Sequence, residues 1–311
     1  MSFSSDVKEE LAQRIAKSRH CQIAELAAII GMCGQIDGNA SAGYSIHMQT
    51  ENVQLARKCF TLIKNIFNFS TQIDIRQGNS AKSSSYIISI TDPDQAMNIL
   101  QTIKAIDNDG CLRLPEGIIA PILIMNICCK RAFIRGVYMA SGSMSDPEKF
   151  YHLEIVCDTI SKANQLIEQI AAFDIEARIA SRRGHFVVYI KEGTQIIDLL
   201  NVMEAYVALM HMENIRILKD MRNQVNRQVN CETANLNKTV NAAVKQIEDI
   251  KLLMSRGEFD SLPQHLKDIA MLRLEHPESS LKELGEMCDP PVGRSGVNHR
   301  LKKLSELASE Y

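Results

Sequence analysis

The chain has 311 residues, enough for two or three domains whose cores need no covalent staples. Lys and Arg total 35 against 37 Asp and Glu, a net charge of -2, so there is no global basic field and any nucleic-acid surface must be local. The nine cysteines (21, 33, 59, 111, 128, 129, 157, 231 and 288) contain no C-x-x-C pair and no Cys/His run with zinc-ligand spacing. They read as reduced thiols, with no metal and no cofactor expected. Asp6, Lys8, Glu9 and Glu10 at the N-terminus exclude a signal peptide, and no apolar run approaches the roughly 18 residues of a membrane span, so a soluble cytoplasmic protein is expected.

Residues 4–18 read as a helix capped by Ser4 or Ser5, with Val7, Leu11 and Ile15 on one stripe. Residues 21–33 form a helix rich in small side chains: Ala24, Ala27, Ala28 and Gly31, with Gly34 just past its end. Residues 44–49 alternate as a strand, and 52–67 place Val53, Ala56, Phe60, Ile63 and Phe67 on one helical face. Strands are expected at 72–77 and 85–91, joined by the polar loop GNSAKSS, before Asp92 and Pro93 open a helix through 106.

The order then returns. Residues 130–141 form a second small-residue helix in which Ala132, Gly136 and Ala140 fall four apart, a smooth stripe that lets another helix approach closely. It is expected to end at Gly142, the residue type cheapest past a helix end, with Ser-Asp-Pro forbidding continuation. Its expected partner is the helix at 21–33. Residues 151–157 form a strand, 160–173 a helix, 176–181 and 185–191 strands around Arg182-Arg183-Gly184, and 193–203 a closing helix. Gly142 follows Gly34 by 108 positions, which points to one duplicated α-β-β-α-β-β-α unit in an α+β domain with antiparallel sheets.

The segment FIRGVYMASGS resembles the LAGLIDADG motif of homing endonucleases, whose usual form is close to FLRGFFDADGS, and the repeat order is similar to that fold. The resemblance implies two motif helices packed together, each ending in an acid that helps to gather Mg²⁺ for DNA cleavage. The matching positions here are Cys33 and Ser141, poor partners for a hard cation, so no catalytic residue is assigned. A nuclease would have to gather metal through other acids, such as Glu25, Asp37 or Asp146.

Composition changes near residue 212. Residues 222–241, RNQVNRQVNCETANLNKTVN, are dense in Asn and hold Arg222, Arg227 and Lys238 against the single acid Glu232. Asn is a poor helix filler, whereas Asn and Arg suit base edges and phosphates, which makes Arg222, Asn223, Arg227, Asn230, Asn235, Asn237 and Lys238 candidate DNA contacts. The bland alternative is a polar linker helix with Val225, Val229 and Leu236 touching a core. Further on, 264–274 is a helix, Ser280 caps LKELGEMC, and the turn DPPVGRSG leads to VNHRLKKLSELAS. Three helices with a short Gly-bearing connector match a helix-turn-helix whose last helix enters the major groove. Leu301, Leu304 and Leu307 face inward, leaving Arg294, Ser295, Asn298, His299, Arg300, Lys302 and Lys303 as its expected DNA-contacting residues.

The strings RNQVNRQVNCETANLNKTVNAA (222–243), YHLEI (151–155) and LGEMCDPPVGRSGVNHRLKKL (284–304) together resemble the WhiA family of bacterial sporulation and cell-division regulators. The resemblance implies a degenerate LAGLIDADG domain joined to a C-terminal helix-turn-helix. It also implies a nucleoid-associated transcription regulator that binds double-stranded DNA and affects division, chromosome segregation and sporulation. The expected organisation is an N-terminal helix (1–20), two LAGLIDADG-like repeats (21–108 and 109–211), an Asn/Arg-rich helical segment (212–260) and an all-α helix-turn-helix domain (261–311). Two competing readings remain: a nucleoid scaffold that binds DNA generically and a protein partner through its N-terminal domain, and a metal-dependent endonuclease. No membrane contact is expected.

Overall fold

The computed structural model describes residues 2–69, 71–77, 84–107 and 109–309, and the chain divides into two compact units, one up to Leu218 and one from Lys219 onward. The loop expected at GNSAKSS lies largely outside the described residues.

In the first unit α1 (Phe3–Gln13) is capped by Ser2, whose hydroxyl oxygen accepts from the Ser5 N–H at 3.2 Å, so Ser4 and Ser5 lie within the helix. It buries Val7 and Leu11 and stops at Gln13, well short of residue 18. The ammonium of the buried Lys58 explains the early stop: it donates to the carbonyls of Leu11 (2.8 Å) and Arg14, satisfying acceptors that a helix end leaves open. Next come α2 (Arg19–Cys33), β1 (Gly34–Asn39), β2 (Gly43–Thr50), α3 (Val53–Phe67), β3 (Gln72–Gln77), β4 (Ser84–Ile90) and α4 (Pro93–Thr102). After a connector the series repeats as α5 (Ile127–Ser141), β5 (Gly142–Met144), β6 (Leu153–Cys157), α6 (Ile160–Ala171), β7 (Arg178–Arg182), β8 (His185–Ile190) and α7 (Gly193–Met203). The two antiparallel sheets have equivalent orders, β1-β2-β4-β3 and β5-β6-β8-β7. Alternate residues of the second strand in each, Tyr44, Ile46 and Met48 and then Leu153, Ile155 and Cys157, are buried in the common core.

Several boundaries differ from expectation for local reasons. Gly34 and Gly142 do end their helices, but in extended conformation (φ -87° and -78°), and each opens a strand at once. Glycine is required at 142 by space instead of by handedness: a Cβ there would lie 2.3 Å from Cδ2 of Tyr138. Helix α4 ends at Thr102 because Lys104 takes a left-handed φ of 60° while the Ala105 N–H bonds back to the Leu100 carbonyl at 2.9 Å. Helix α5 starts at Ile127, three residues earlier than its stripe suggests.

Helices α2 and α5 pack as the expected close pair. A Cβ on Gly136 would stand 2.6 Å from the Glu25 carbonyl oxygen and 3.1 Å from the Ala28 Cβ. Gly31 serves a different contact: its missing Cβ makes room for the Ile118 carbonyl in the connector, 2.1 Å from where that atom would lie. Beneath the pair Glu25, fully buried, takes Arg135 Nε at 2.9 Å and Lys58 Nζ at 3.0 Å. Arg135 also reaches Glu204 at 3.1 Å, and Arg14 reaches the same carboxylate at 2.7 Å. Burial pulls the Lys58 ammonium below its ordinary range. Burial also acts on Arg135, but the Glu25 charge outweighs it and holds the guanidinium above.

The 50-residue α8 (Tyr206–Ser255) buries Ala208, Met212 and Ile215 in the first unit. In the second unit its Ile250 and Leu253 join a separate core with α9 (Gln264–Glu275), α10 (Leu281–Glu286) and α11 (Arg294–Ser309). Among the described residues no helix is long and apolar enough to cross a membrane.

Candidate nucleic-acid interface

The second unit holds α10 and α11 together through Leu284, Cys288, Val297, Leu301 and Leu304. Ser280 starts α10 with a reciprocal box: its hydroxyl accepts from the Glu283 N–H at 3.3 Å and its own N–H donates to Glu283 Oε2 at 2.7 Å. Those bonds hold the Glu283 carboxyl below the usual range. Gly285 makes the turn: the Val292 N–H donates to its carbonyl at 2.9 Å, and a Cβ at 285 would lie 2.0 Å from the Val292 oxygen. Arg273, buried beneath, donates to the carbonyls of Pro277 (3.3 Å) and Ser279 (2.7 Å), tying α9 to the entry of α10.

This frame exposes Arg294, Ser295, Asn298 and His299 in the first turns of α11. Arg300, expected to face outward, is half-buried. Lys302 and Lys303 are exposed and share the acid Glu306, at 3.9 and 3.6 Å, so the end of the helix carries less free positive charge than its cations alone suggest. Arg294 and Asn298 border a groove that also takes Lys238 and Gln246 of α8, Ser280 and Lys282. The fold thus brings Lys238 to the helix-turn-helix. Lys282 escaped the sequence reading, although its place in the first turn of a Ser-capped helix was a usable signal.

Residues 221–242 are exposed throughout. Val225, Val229 and Leu236 are 58%, 52% and 63% exposed, so they touch no core and the linker reading loses its anchor. Arg222, Asn223, Arg227, Asn230, Asn235 and Asn237 lie along the same helix. Sixteen residues separate Arg222 from Lys238, about 24 Å of helix, so the segment is not one patch with the groove.

The positions that match the metal-binding acids carry no acid. Cys33 is half-buried and donates to the Ile29 carbonyl at 3.2 Å, and burial pushes its thiol up to about 11. Ser141 Oγ is buried with no hydrogen-bond partner among the described residues. Of the alternative acids, Glu25 is held by Arg135 and Lys58, Asp37 is exposed and accepts from Gln35 at 3.0 Å, and Asp146 is exposed near Lys149 at 4.0 Å. Among the described residues none of the three joins a metal-binding group. The one such group is His20, Cys21, Cys128 and Cys129, whose ligand atoms all lie within 4.8 Å of one another. Linear spacing hides it, because it consists of two adjacent pairs far apart in sequence. The signal was in the repeat: the 108-residue offset that carries Gly34 onto Gly142 also carries His20-Cys21 onto Cys128-Cys129.

Comparison with known proteins follows the same division. Family models described as the WhiA N-terminal LAGLIDADG-like domain, the WhiA LAGLIDADG-like domain and the WhiA C-terminal HTH domain match residues 19–106, 130–222 and 225–308. The chain is 50% identical over 308 residues to a probable cell division protein WhiA of Lachnoclostridium phytofermentans, covering 99% of this chain and 98% of that protein. It is 46% identical over 312 residues to a probable cell division protein WhiA of Desulforamulus reducens, covering 100% and 96%. The crystal structure of full-length DUF199/WhiA from Thermatoga maritima has a similar fold, with a TM-score of 0.61 at 24% identity over 100% of this chain and 99% of that one.

Proposed function

The chain belongs to the WhiA family, and from that premise we propose that it is a sequence-specific regulator of transcription that binds double-stranded DNA and acts in cell division. The observation that carries this reading is the groove in which Arg294 and Asn298, at the start of α11, meet Lys238 and Lys282. Arg and Asn are the side chains that pair bidentately with guanine and adenine in the major groove, while lysines beside them suit phosphate. Chromosome segregation and sporulation belong to the same proposed role, exercised in the cytoplasm at the nucleoid. The chain is read as a non-enzyme because Cys33 and Ser141 offer no anionic oxygen to Mg²⁺.

Generic DNA binding by a scaffold, with a protein partner on the N-terminal domain, is the competing reading. Exposed Arg222 and Arg227, about 24 Å and about 16 Å along α8 from Lys238, favour it as a phosphate-only surface. Genome-wide mapping of bound DNA, followed by titration of the full chain against the recovered sites and scrambled duplexes, separates the two. A regulator prefers its sites by roughly 10³-fold or more. A scaffold binds both alike.

A further inference from the structure

From the convergence of His20, Cys21, Cys128 and Cys129 we propose a Cys3His site for a soft divalent cation, Zn²⁺, joining the N-terminal ends of α2 and α5. His20 Nδ1 lies 3.1 Å from Cys129 Sγ and 3.4 Å from Cys21 Sγ, and all four ligand atoms fall within 4.8 Å of one another. A tetrahedral zinc with Zn–S near 2.3 Å and Zn–N near 2.0–2.1 Å needs roughly 3.5 Å between nitrogen and sulfur and roughly 3.8 Å between sulfurs. The side chains therefore need to move by only a fraction of their present separations. Three thiolates and an imidazole form a ligand set that selects zinc over the hard Mg²⁺ of cleavage chemistry.

The surroundings suit the charge of such a complex. Zn²⁺ displaces three thiol protons to solvent, leaving a site of net charge -1 with a neutral His20. Two helix N-termini meet there, and neither Ser18 nor Asn126 uses its side chain to cap its helix, so both positive helix ends remain available to the thiolates. The cleft beside Cys21 and Cys128 is lined by Lys17 and Arg131, and by Arg14 and Arg135, which are paired with Glu204 of the same lining. Cys21 and Cys129 are buried while His20 and Cys128 are exposed, which gives the ion an entry path.

The site lies at the end of the helix pair opposite to Cys33 and Ser141, about 20 Å away along fifteen-residue helices. Each repeat contributes two ligands at equivalent positions, so the ion would cross-link the repeats. A redox pair is the rival use of these sulfurs. A disulfide would consume two of the three thiolates and leave too few ligands for zinc, so the two uses exclude each other.

The full chain, purified under reducing conditions from zinc-supplemented cells, is expected to carry one zinc per chain by mass-spectrometric metal analysis. Co²⁺ added to the metal-free chain should give thiolate-to-metal charge-transfer and tetrahedral ligand-field bands. Cys128→Ser and His20→Ala alter exposed positions and leave the core intact. Each should weaken zinc binding by more than about 100-fold in a chelator competition, since loss of a hydrogen-bond partner behind a ligand alone costs about 10–100-fold. Cys111→Ser and Cys231→Ser, at exposed sites elsewhere, should keep the stoichiometry at one. The assignment is overturned if the reduced chain binds no zinc, if Co²⁺ gives no charge-transfer band, if Cys128→Ser and His20→Ala bind zinc like the parent, or if Cys21 is found in a disulfide that reduction does not convert into a zinc site.

Discussion

Asn298 and Arg294 stand one turn apart on the exposed start of α11, which makes them the side chains best placed for base edges. Asn298→Ala should cost about 1–3 kcal/mol on the best duplex and relax preference at one base pair, as read by titration against single-mismatch duplexes. Lys303→Ala, further along and already near Glu306, should weaken all duplexes alike and flatten the salt slope by about one unit. Arg300→Ala should disturb α11 as well as binding, because its side chain is half-buried. A second residue-scale prediction concerns Glu204. Burial pushes its carboxyl up, but the Arg14 hydrogen bond and the Arg135 and Arg14 charges outweigh that and hold it low. A carboxyl lowered on folding contributes stability above its unfolded value of about 4.3 and loses it as the pH falls through the folded value. Melting temperatures of the parent and Glu204→Gln should therefore differ at neutral pH and converge on acidification below about pH 4.

At the scale of elements, the α2–α5 pair depends on the approach at Gly136 and on the ion network beneath it. Gly136→Leu forces side-chain atoms into the Glu25 backbone and should lower stability by about 1–3 kcal/mol or more, measured by denaturant midpoint. Glu25→Ala should be harsher, about 3–5 kcal/mol, because it strands Lys58 and Arg135 in the interior. The small-residue stripes were legible because side-chain size is written in the sequence, and residues 72–77 and 193–203 match their strand and helix. Strands β1 and β5 were not placed individually: GQIDGN lacks a β-branched alternation and GSM is only three residues long. Their pairing comes from the neighbouring strand, as in Gly34 opposite Met48 and Gly142 opposite Ile155. Gly31 misled for a similar reason, since what meets a glycine is a tertiary fact; here it is a connector carbonyl.

At the scale of the whole molecule, a duplicated α+β unit and a helical unit divide the chain at Leu218, each around its own hydrophobic cluster. The helix-turn-helix was legible because Ser280, the turn and the leucine spacing are all local signals. The groove was not, because Lys238 comes to line it with Arg294 only through packing of the second unit. The His/Cys cluster was hidden in the same way, visible only when one repeat is laid on the other. The central claim is sequence-specific DNA binding by a non-enzyme, and its most direct test is titration of the full chain, with and without Mg²⁺, against its mapped genomic site and a scrambled duplex over a series of salt concentrations. The account predicts a preference of at least about 10³-fold for the site at physiological salt, lost from Asn298→Ala more than from Lys303→Ala, with both duplexes left uncut. Equal affinity for the two duplexes at every salt concentration, or a Mg²⁺-dependent cut in the site, would contradict it.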